Sequence, residues 1–157
     1  RIKIDYKFDV CFIGGIANNG FNEKIHIMNK TLGYISKKLN CGFFINKKLS
    51  HKQENYILNA SRIAINIHDV YQRTLGLDTN ERTFKSLGIT GMLVSDKITQ
   101  LEDIFSFVKT SNDSSELVSF IRDHINDPNL EQHKQSNVDF ILSNHTYVHR
   151  INKLLEL

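Results

Sequence analysis

The stretch "FDVCFIGG", Phe8 to Gly15, is a short apolar run that stops at two glycines. Such a run is typical of a buried strand in a parallel sheet, where both faces of the strand are covered. Four more runs of this kind follow: "CGFFI" (41–45), "RIAINI" (62–67), "GMLVS" (91–95) and "FSFVKT" (105–110). The sequence therefore predicts five strands, of which the fifth has the weakest pattern.

Helical patterns occupy the intervals between these runs. After the first run, apolar residues recur at steps of three and four, as on the buried stripe of an amphipathic helix: Phe21, Ile25, Met28, Leu32, Ile35 and Leu39. Ser50 with Gln53, and Asp113 with Glu116, are capping-box pairs that open two further helices. Asp78 or Thr79 is expected to cap a short helix that reaches about residue 87. Other helices are predicted at residues 99–104, 128–142 and 145–157.

Strands that alternate with helices predict an α/β fold, a Rossmann-like parallel sheet with helices on both faces. In such sheets, ligands bind beyond the carboxyl ends of the strands, near the point where the strand order reverses. Three segments are expected to meet there: "GGIANNG" (14–20), "HDVYQRTLGLDTNER" (68–82) and "SDKIT" (95–99). The sequence thus predicts a single crevice built from strand exits.

Length and charge limit the possible function classes. With 157 residues the chain fits a single domain, 1–157, and its net charge of +3 is spread without a basic block, which argues against a nucleic-acid partner. No apolar run approaches the ~20 residues of a transmembrane segment, and no signal peptide is recognisable. Cys11 and Cys41 lie in apolar runs, as buried thiols of a cytoplasmic protein would. Because the chain opens on Arg1, we expect a piece of a longer polypeptide.

Two features of the predicted crevice suggest ligand contact. The backbone N–H groups of Gly14 and Gly15 could approach a phosphate, although paired glycines at a strand exit are more often only a tight turn. His68, at the end of the third strand, could orient a sugar hydroxyl or act as a general base. A histidine in that position more often has a structural role, and both interpretations stay open.

Arg82 and Lys85 are three residues apart and share one face of a predicted helix. Cations are unfavourable in the first turns of a helix unless an anion sits opposite, so the pair either clamps a polyanion or points into water. His145 and His149 lack the glutamate of an HExxH zinc motif, and there is no G-x-S-x-G elbow. From the residues alone, the sequence predicts an anion or nucleotide crevice without a defined reaction.

The order of several segments is similar to a known family. "DVCFIGG", "ILNASRIAINIH", "NERTFKSLGITGMLVSD", "LEDIF", "SSELVSFIRDHINDP" and "HTYVHRINKLL" together resemble the carboxy-terminal domain of group 1 glycosyltransferases, in the group that includes spore-maturation-type proteins. The resemblance implies one half of a GT-B enzyme, in which this half binds a nucleotide-diphosphate sugar and transfer needs no metal or other cofactor. It also implies an amino-terminal acceptor-binding domain in the same longer polypeptide, to which the terminal helix commonly crosses back.

By this resemblance Arg82 begins the family's "R-x-F-E" segment and contacts the donor diphosphate, while Phe84 anchors the helix and Gly91 precedes the next strand. Lys85 replaces the glutamate that holds donor hydroxyls in related enzymes, and a lysine cannot accept those hydrogen bonds. Glu81 could take over a hydroxyl contact or simply favour the helix start. The predicted donor-binding set is Gly14, Gly15, His68, Asn80, Glu81, Arg82 and Lys85, and the sequence identifies no catalytic residue.

Two other interpretations remain. Lys85 fits a non-catalytic glycosyltransferase-like binding module as well as an active enzyme. An unrelated domain of response-regulator type would need a phosphate-accepting aspartate at a strand end, but Asp9 opens the first strand and does not end it.

Overall fold

A computed structural model of the chain describes residues 4–16, 23–77 and 79–156. These residues form five strands and eight helices, with at least one helix after every strand. The strands are β1 (Phe8–Gly14), β2 (Cys41–Ile45), β3 (Ser61–Asn66), β4 (Leu93–Ser95) and β5 (Lys109–Thr110). The helices are α1 (Lys24–Ser36), α2 (His51–Asn59), α3 (Val70–Leu75), α4 (Glu81–Thr90), α5 (Thr99–Ile104), α6 (Ser114–Ile125), α7 (Leu130–Asn144) and α8 (Tyr147–Leu155).

All strand pairs are parallel, and the strand order in the sheet is β2-β1-β3-β4-β5. The chain runs from β1 to β2 on one side and then returns to β3 on the other side of β1. The order therefore reverses between β1 and β3, and the carboxyl ends of these strands border the crevice where such sheets bind ligands. The α/β, Rossmann-like prediction is confirmed.

Helices cover both faces of the sheet. One core cluster places Met28 and Ile35 of α1 with Leu117 and Ile121 of α6 against the strands. The other face is covered by residues of α2, α4, α5 and α7: Ile57, Leu58, Leu87, Leu101 and Ile141. Both clusters consist of aliphatic and aromatic side chains whose removal from water is the main stabilising term of a domain of this size.

Several predicted boundaries need correction. The fifth strand is only Lys109–Thr110, because Phe105 is fully buried at the end of α5 and does not extend the sheet. Helix α3, Val70–Leu75, lies in the 68–82 segment, where a helix was predicted only after Asp78 or Thr79. Asn80 caps α4, where Asp78 or Thr79 was expected, and Asp78 lies outside the described residues.

The last two predicted helices are present with later starts. Helix α7 begins at Leu130, after a turn that contains Pro128, and α8 begins at Tyr147. The capping pairs at Ser50 and Asp113 are confirmed as helix starts, since each side chain accepts a backbone N–H of its first turn. Within the described part of the chain, no helix is both long and apolar enough to cross a bilayer.

Gly91 ends α4 in the left-handed region, at φ 77°. A Cβ there would lie 2.2 Å from the backbone carbonyl oxygen of Lys134, so α7 crosses directly over this glycine. Asn137 of α7 also donates its side-chain amide to the Gly91 carbonyl at 2.9 Å. This contact fixes α4, whose first turn faces the crevice, against the body of the domain.

Candidate functional site

A cavity of about 410 Å³ lies at the strand-order reversal, within the size range of small-molecule sites. Its walls come from the ends of β1 and β2 and from helices α2 and α4. The lining residues include Gly14, Gly15, Asn46, Lys47, Glu54, Asn80, Glu81, Arg82, Lys85 and Ser86. Six of the seven predicted donor-binding residues therefore line one cavity, and His68 is the exception.

Arg82 reaches from the first turn of α4 back to the end of β1. Its guanidinium lies over the Phe12 ring, with Cζ 5.2 Å from the ring centroid, and Nη1 donates to Asn66 Oδ1 at 3.2 Å. A Cβ at Gly14 would lie 2.6 Å from Cζ, so only a glycine at this position leaves room for the guanidinium. The Arg82 charge at the helix start therefore does not point into bulk water: it lies at the strand exit inside the crevice.

The guanidinium of Arg82 has unused capacity to bind an anion. Asn66, a neutral amide, is its one hydrogen-bond acceptor among the described residues, and none of these residues forms an ion pair with it. Burial lowers the pKa of Arg82, while the carboxylates of Asp69 and Glu54 act in the opposite direction. An arginine remains charged throughout the working pH range, so the cavity holds a partly desolvated cation with free donors.

The start of α4 adds oriented dipoles to the same wall. Asn80 Oδ1 accepts the Thr83 backbone N–H at 3.3 Å and also the Asn66 side-chain amide at 2.9 Å. Asn66 is fully buried at the end of β3, and it donates to Thr83 as well. Because Asn66 joins β3, the α4 cap and Arg82, the position of the cation is set by the sheet itself.

The exit of β1 is held by a residue of the neighbouring strand. Asn46 follows β2 in a left-handed conformation, at φ 52°, and its backbone N–H donates to the Gly14 carbonyl. Its side-chain oxygen accepts the backbone N–H of Ile16 at 2.8 Å. Gly15 lies between these contacts, and residues 17–20 of the predicted glycine-rich loop lie outside the described residues. A phosphate contact from Gly14 or Gly15 stays a prediction.

Lys85 does not stand beside Arg82 as a second free cation. Its Nζ forms an ion pair and hydrogen bond with Oε2 of Glu54, a residue of the first turn of α2. Glu81 is exposed in the first turn of α4, where an acid is favourable toward the helix dipole. The positive charge of Lys85 is therefore offset by Glu54, and Arg82 is the cation of α4 left for a ligand.

His68 is fully buried and contributes nothing to the cavity surface. Its Nδ1 lies 2.7 Å from Oδ1 of Asp96, and its Nε2 lies 3.1 Å from the Thr79 hydroxyl. Asp96 also accepts the His68 backbone N–H, and Arg73 Nε lies 3.5 Å from the other carboxylate oxygen. These contacts give His68 a structural role behind the crevice, where it ties the end of β3 to the segment after β4.

Phe84 is half-buried on the other side of α4 and anchors that helix, as the resemblance implied. Its ring packs edge-on against Phe105 at 5.4 Å between centroids, and the Arg150 guanidinium lies 4.0 Å above it. His145 packs against both rings, and burial lowers the pKa of its imidazole. This cluster fixes the far face of α4 and leaves its first turn to the cavity.

The other candidate groups of the sequence analysis do not add to the crevice. Asp9 lies at the amino end of β1, where its carboxylate accepts the Asn40 backbone N–H and contacts Arg62. It therefore lies at the end of the strand opposite to the one a response-regulator phosphate acceptor would need. No group of three or more metal-ligating side chains occurs among the residues the structure describes. Cys11 and Cys41 are free thiols.

A family model described as glycosyl transferase-like matches residues 15–156. The chain belongs to this glycosyl transferase-like family. The match runs from Gly15, just after β1, past the end of α8, and it supports a glycosyltransferase-like function in general terms. The match identifies the family and does not identify the spore-maturation-type subgroup. No curated protein and no solved structure matches the chain.

Five polar residues of the cavity and its supporting network were missed by the sequence predictions: Asn46, Lys47, Glu54, Asn66 and Ser86. Asn46 and Asn66 carried a usable signal, because each is a polar residue at the carboxyl end of an apolar strand. Glu54 carried none, since it lies 31 positions from Lys85 and only the packing of α2 beside α4 brings the two together.

Proposed function

We propose that this chain is the donor-binding half of a GT-B glycosyltransferase that transfers a sugar from a nucleotide-diphosphate sugar to an acceptor. The single observation that carries the proposal is Arg82: a half-buried guanidinium at the strand-order reversal, with no ion-pair partner among the described residues. Diphosphates are recognised by such cations together with helix N-termini. Family membership supports the same class of ligand.

In the proposed reaction, the bond between the anomeric carbon of the sugar and the diphosphate oxygen breaks. The acceptor oxygen bonds to that carbon and gives its proton to a base of the complete site or to water, and the nucleoside diphosphate leaves with an additional negative charge. Arg82 and the backbone N–H groups at the start of α4 would stabilise this charge without a metal ion. Because these hydrogen-bond donors are held in place before the reaction, little free energy is needed to reorient them as negative charge develops on the leaving diphosphate.

The terminal helix supports a partner domain. All five of its large apolar side chains point to solvent with exposed fractions of 54–80%: Tyr147, Val148, Ile151, Leu154 and Leu155. The same helix turns Arg150 toward Phe84 of the body. An apolar helix face of this size is normally covered, and an amino-terminal acceptor-binding domain of the same polypeptide is the partner that we propose.

A thermal-shift experiment tests the proposal with uridine, guanosine and thymidine diphosphates. At a ligand concentration of 100 times Kd, binding stabilises the folded state by about 2.7 kcal/mol, which raises Tm by about 5–10 °C for a domain of this size. Arg82→Ala should remove most of the shift. Arg62→Ala is the matched control, because Arg62 contacts Asp9 at the opposite end of the sheet. A flat response to every diphosphate would refute the proposal.

A non-catalytic binding module is the second candidate function. The observation that favours it is Lys85, which occupies the position of the family's hydroxyl-binding acid and is engaged by Glu54. Both candidates require diphosphate binding at Arg82, but they differ in turnover. A complete polypeptide that binds a nucleotide sugar and releases no nucleoside diphosphate with a broad set of acceptors would establish the binding module.

A further inference from the structure

The ion pair between α2 and α4 places a carboxylate in the wall of the cavity. Glu54 and Lys85 both line the cavity with Arg82, and the Glu54 side chain is 20% exposed. Glu54 lies close enough to Arg82 to act on the charge of that guanidinium. The cavity therefore combines a cation suited to phosphate with a carboxylate in the same lining.

One oxygen of this carboxylate remains available. Lys85 Nζ donates to Oε2 of Glu54, and no other described residue donates to Oε1. An ionised carboxylate accepts hydrogen bonds only, and each of its oxygens has two acceptor sites, so Oε1 alone can accept from two adjacent hydroxyls. The hydrogen bond to Lys85 already limits the conformations of the Glu54 carboxylate. The entropy cost of ordering this side chain when a ligand binds is therefore smaller.

Neither neighbouring side chain fits this role as well. Lys85 has three donors and no acceptor, so it cannot bind a hydroxyl through that group's proton. Glu81 is more than one-third exposed on the first turn of α4 and makes no side-chain contact with a cation among the described residues. An exposed carboxylate is screened by water, and its hydrogen bonds to a ligand contribute less.

We infer that Glu54 is the acceptor for the vicinal hydroxyls of a ligand whose diphosphate is held by Arg82, and that Lys85 positions the Glu54 carboxylate. This inference rests on the proposed function and deepens it. A ribonucleotide sugar carries vicinal hydroxyls on both sides of its diphosphate, on the ribose and on the sugar. The acid that is absent from position 85 of α4 is thus supplied by α2.

The experiment compares dissociation constants for a ribonucleoside diphosphate, its 2′-deoxy analogue, and nucleotide sugars with and without the hydroxyl at C2 of the sugar. The wild-type chain should prefer one of the two hydroxylated ligands by about tenfold or more. The pair that shows the preference identifies whether ribose or sugar contacts Glu54. Glu54→Ala should bring that ratio close to one while the deoxy ligand still binds.

Two further variants separate positioning from general damage. Lys85→Ala should reduce the hydroxyl preference and leave most of the affinity for the deoxy ligand, an effect that a purely structural ion pair would not produce. Asp123→Ala removes an exposed carboxylate from α6 and so changes the net charge by the same amount as Glu54→Ala. It should leave the affinity ratios between hydroxylated and deoxy ligands unaltered.

The failures of the two proposals are distinguishable. Diphosphate binding that depends on Arg82 but shows the same hydroxyl preference in Glu54→Ala and wild type would overturn this inference and leave the proposed function standing. Loss of the preference in Glu81→Ala but not in Glu54→Ala would also overturn it. Absence of any diphosphate binding would overturn both.

Discussion

Replacement of Gly14 by alanine tests the geometry of the cavity with a single methyl group. The added Cβ would lie 2.6 Å from Cζ and 2.7 Å from Nη2 of Arg82, and 2.9 Å from Cζ of Phe12. The Phe12 ring is fully buried and cannot retreat, whereas the guanidinium is the far end of a flexible side chain. Gly14 does not occupy the left-handed region, so the backbone accepts alanine. The substitution should therefore displace Arg82 from the strand exit.

The expected magnitude follows from the bonds that are lost. Hydrogen bonds to charged groups contribute about 1.5–3 kcal/mol, so moving Arg82 away from a bound diphosphate should weaken affinity by about 10- to 150-fold. Crowding next to Phe12 should also cost about 1–3 kcal/mol of folding stability. The domain should stay folded, because the clash is relieved mainly by the mobile end of one side chain.

Isothermal titration with a nucleoside diphosphate is the assay. Gly33→Ala is the matched control, since a Cβ at that helix position meets nothing within 4 Å and should leave binding unaltered. In an Arg82→Ala background, Gly14→Ala should have little further effect on affinity, because both changes remove the same contact. Wild-type affinity in Gly14→Ala, or full additivity of the two substitutions, would refute the reasoning.

Three further predictions concern stability and reactivity. Gly91→Ala should lower the free energy of unfolding by more than about 2 kcal/mol in urea titrations. The reason is that φ 77° is strained for alanine and that its Cβ would meet a backbone carbonyl of α7 at 2.2 Å. An unchanged urea midpoint would contradict this prediction. Asp96→Ala should cost about 3–5 kcal/mol in the same assay, because it leaves buried donors of His68 unpaired; a cost below about 1 kcal/mol would show that the network is dispensable. Burial raises the pKa of the Cys11 and Cys41 thiols to about 11, so at pH 8 only about 0.1% of each is thiolate. Both thiols should therefore react slowly with a disulfide reagent until the chain is unfolded. Rapid reaction of the native protein would refute this prediction.

The sequence predicted those parts of the fold that depend on local pattern. The apolar runs gave the first four strands, and Ser50 and Asp113 marked two helix starts because capping is a contact between near neighbours in the chain. The fifth strand was predicted to be too long, because the prediction included Phe105 in the strand. Phe105 instead fills the core beneath α7. Short-range periodicity does not distinguish these two uses of a phenylalanine.

The candidate site was predictable where it depends on strand exits and not where it depends on packing between helices. Gly14 and Arg82 were assigned to the crevice from topology and resemblance, and the cavity contains both. Lys85 was predicted either to clamp a polyanion together with Arg82 or to point into water, but the position of α2 gives it Glu54 as a partner. His68 was predicted to end the third strand, but β3 ends two residues earlier at Asn66, and the His68 side chain turns into the protein toward Asp96.

The most direct test of the central claim is a crystal structure of the chain with a bound nucleoside diphosphate. Hydrogen-bond geometry predicts phosphate oxygens within about 3 Å of the Arg82 guanidinium nitrogens, beside the β1 exit and the first turn of α4. A diphosphate bound elsewhere on the molecule, with Arg82 making no contact to it, would contradict the account.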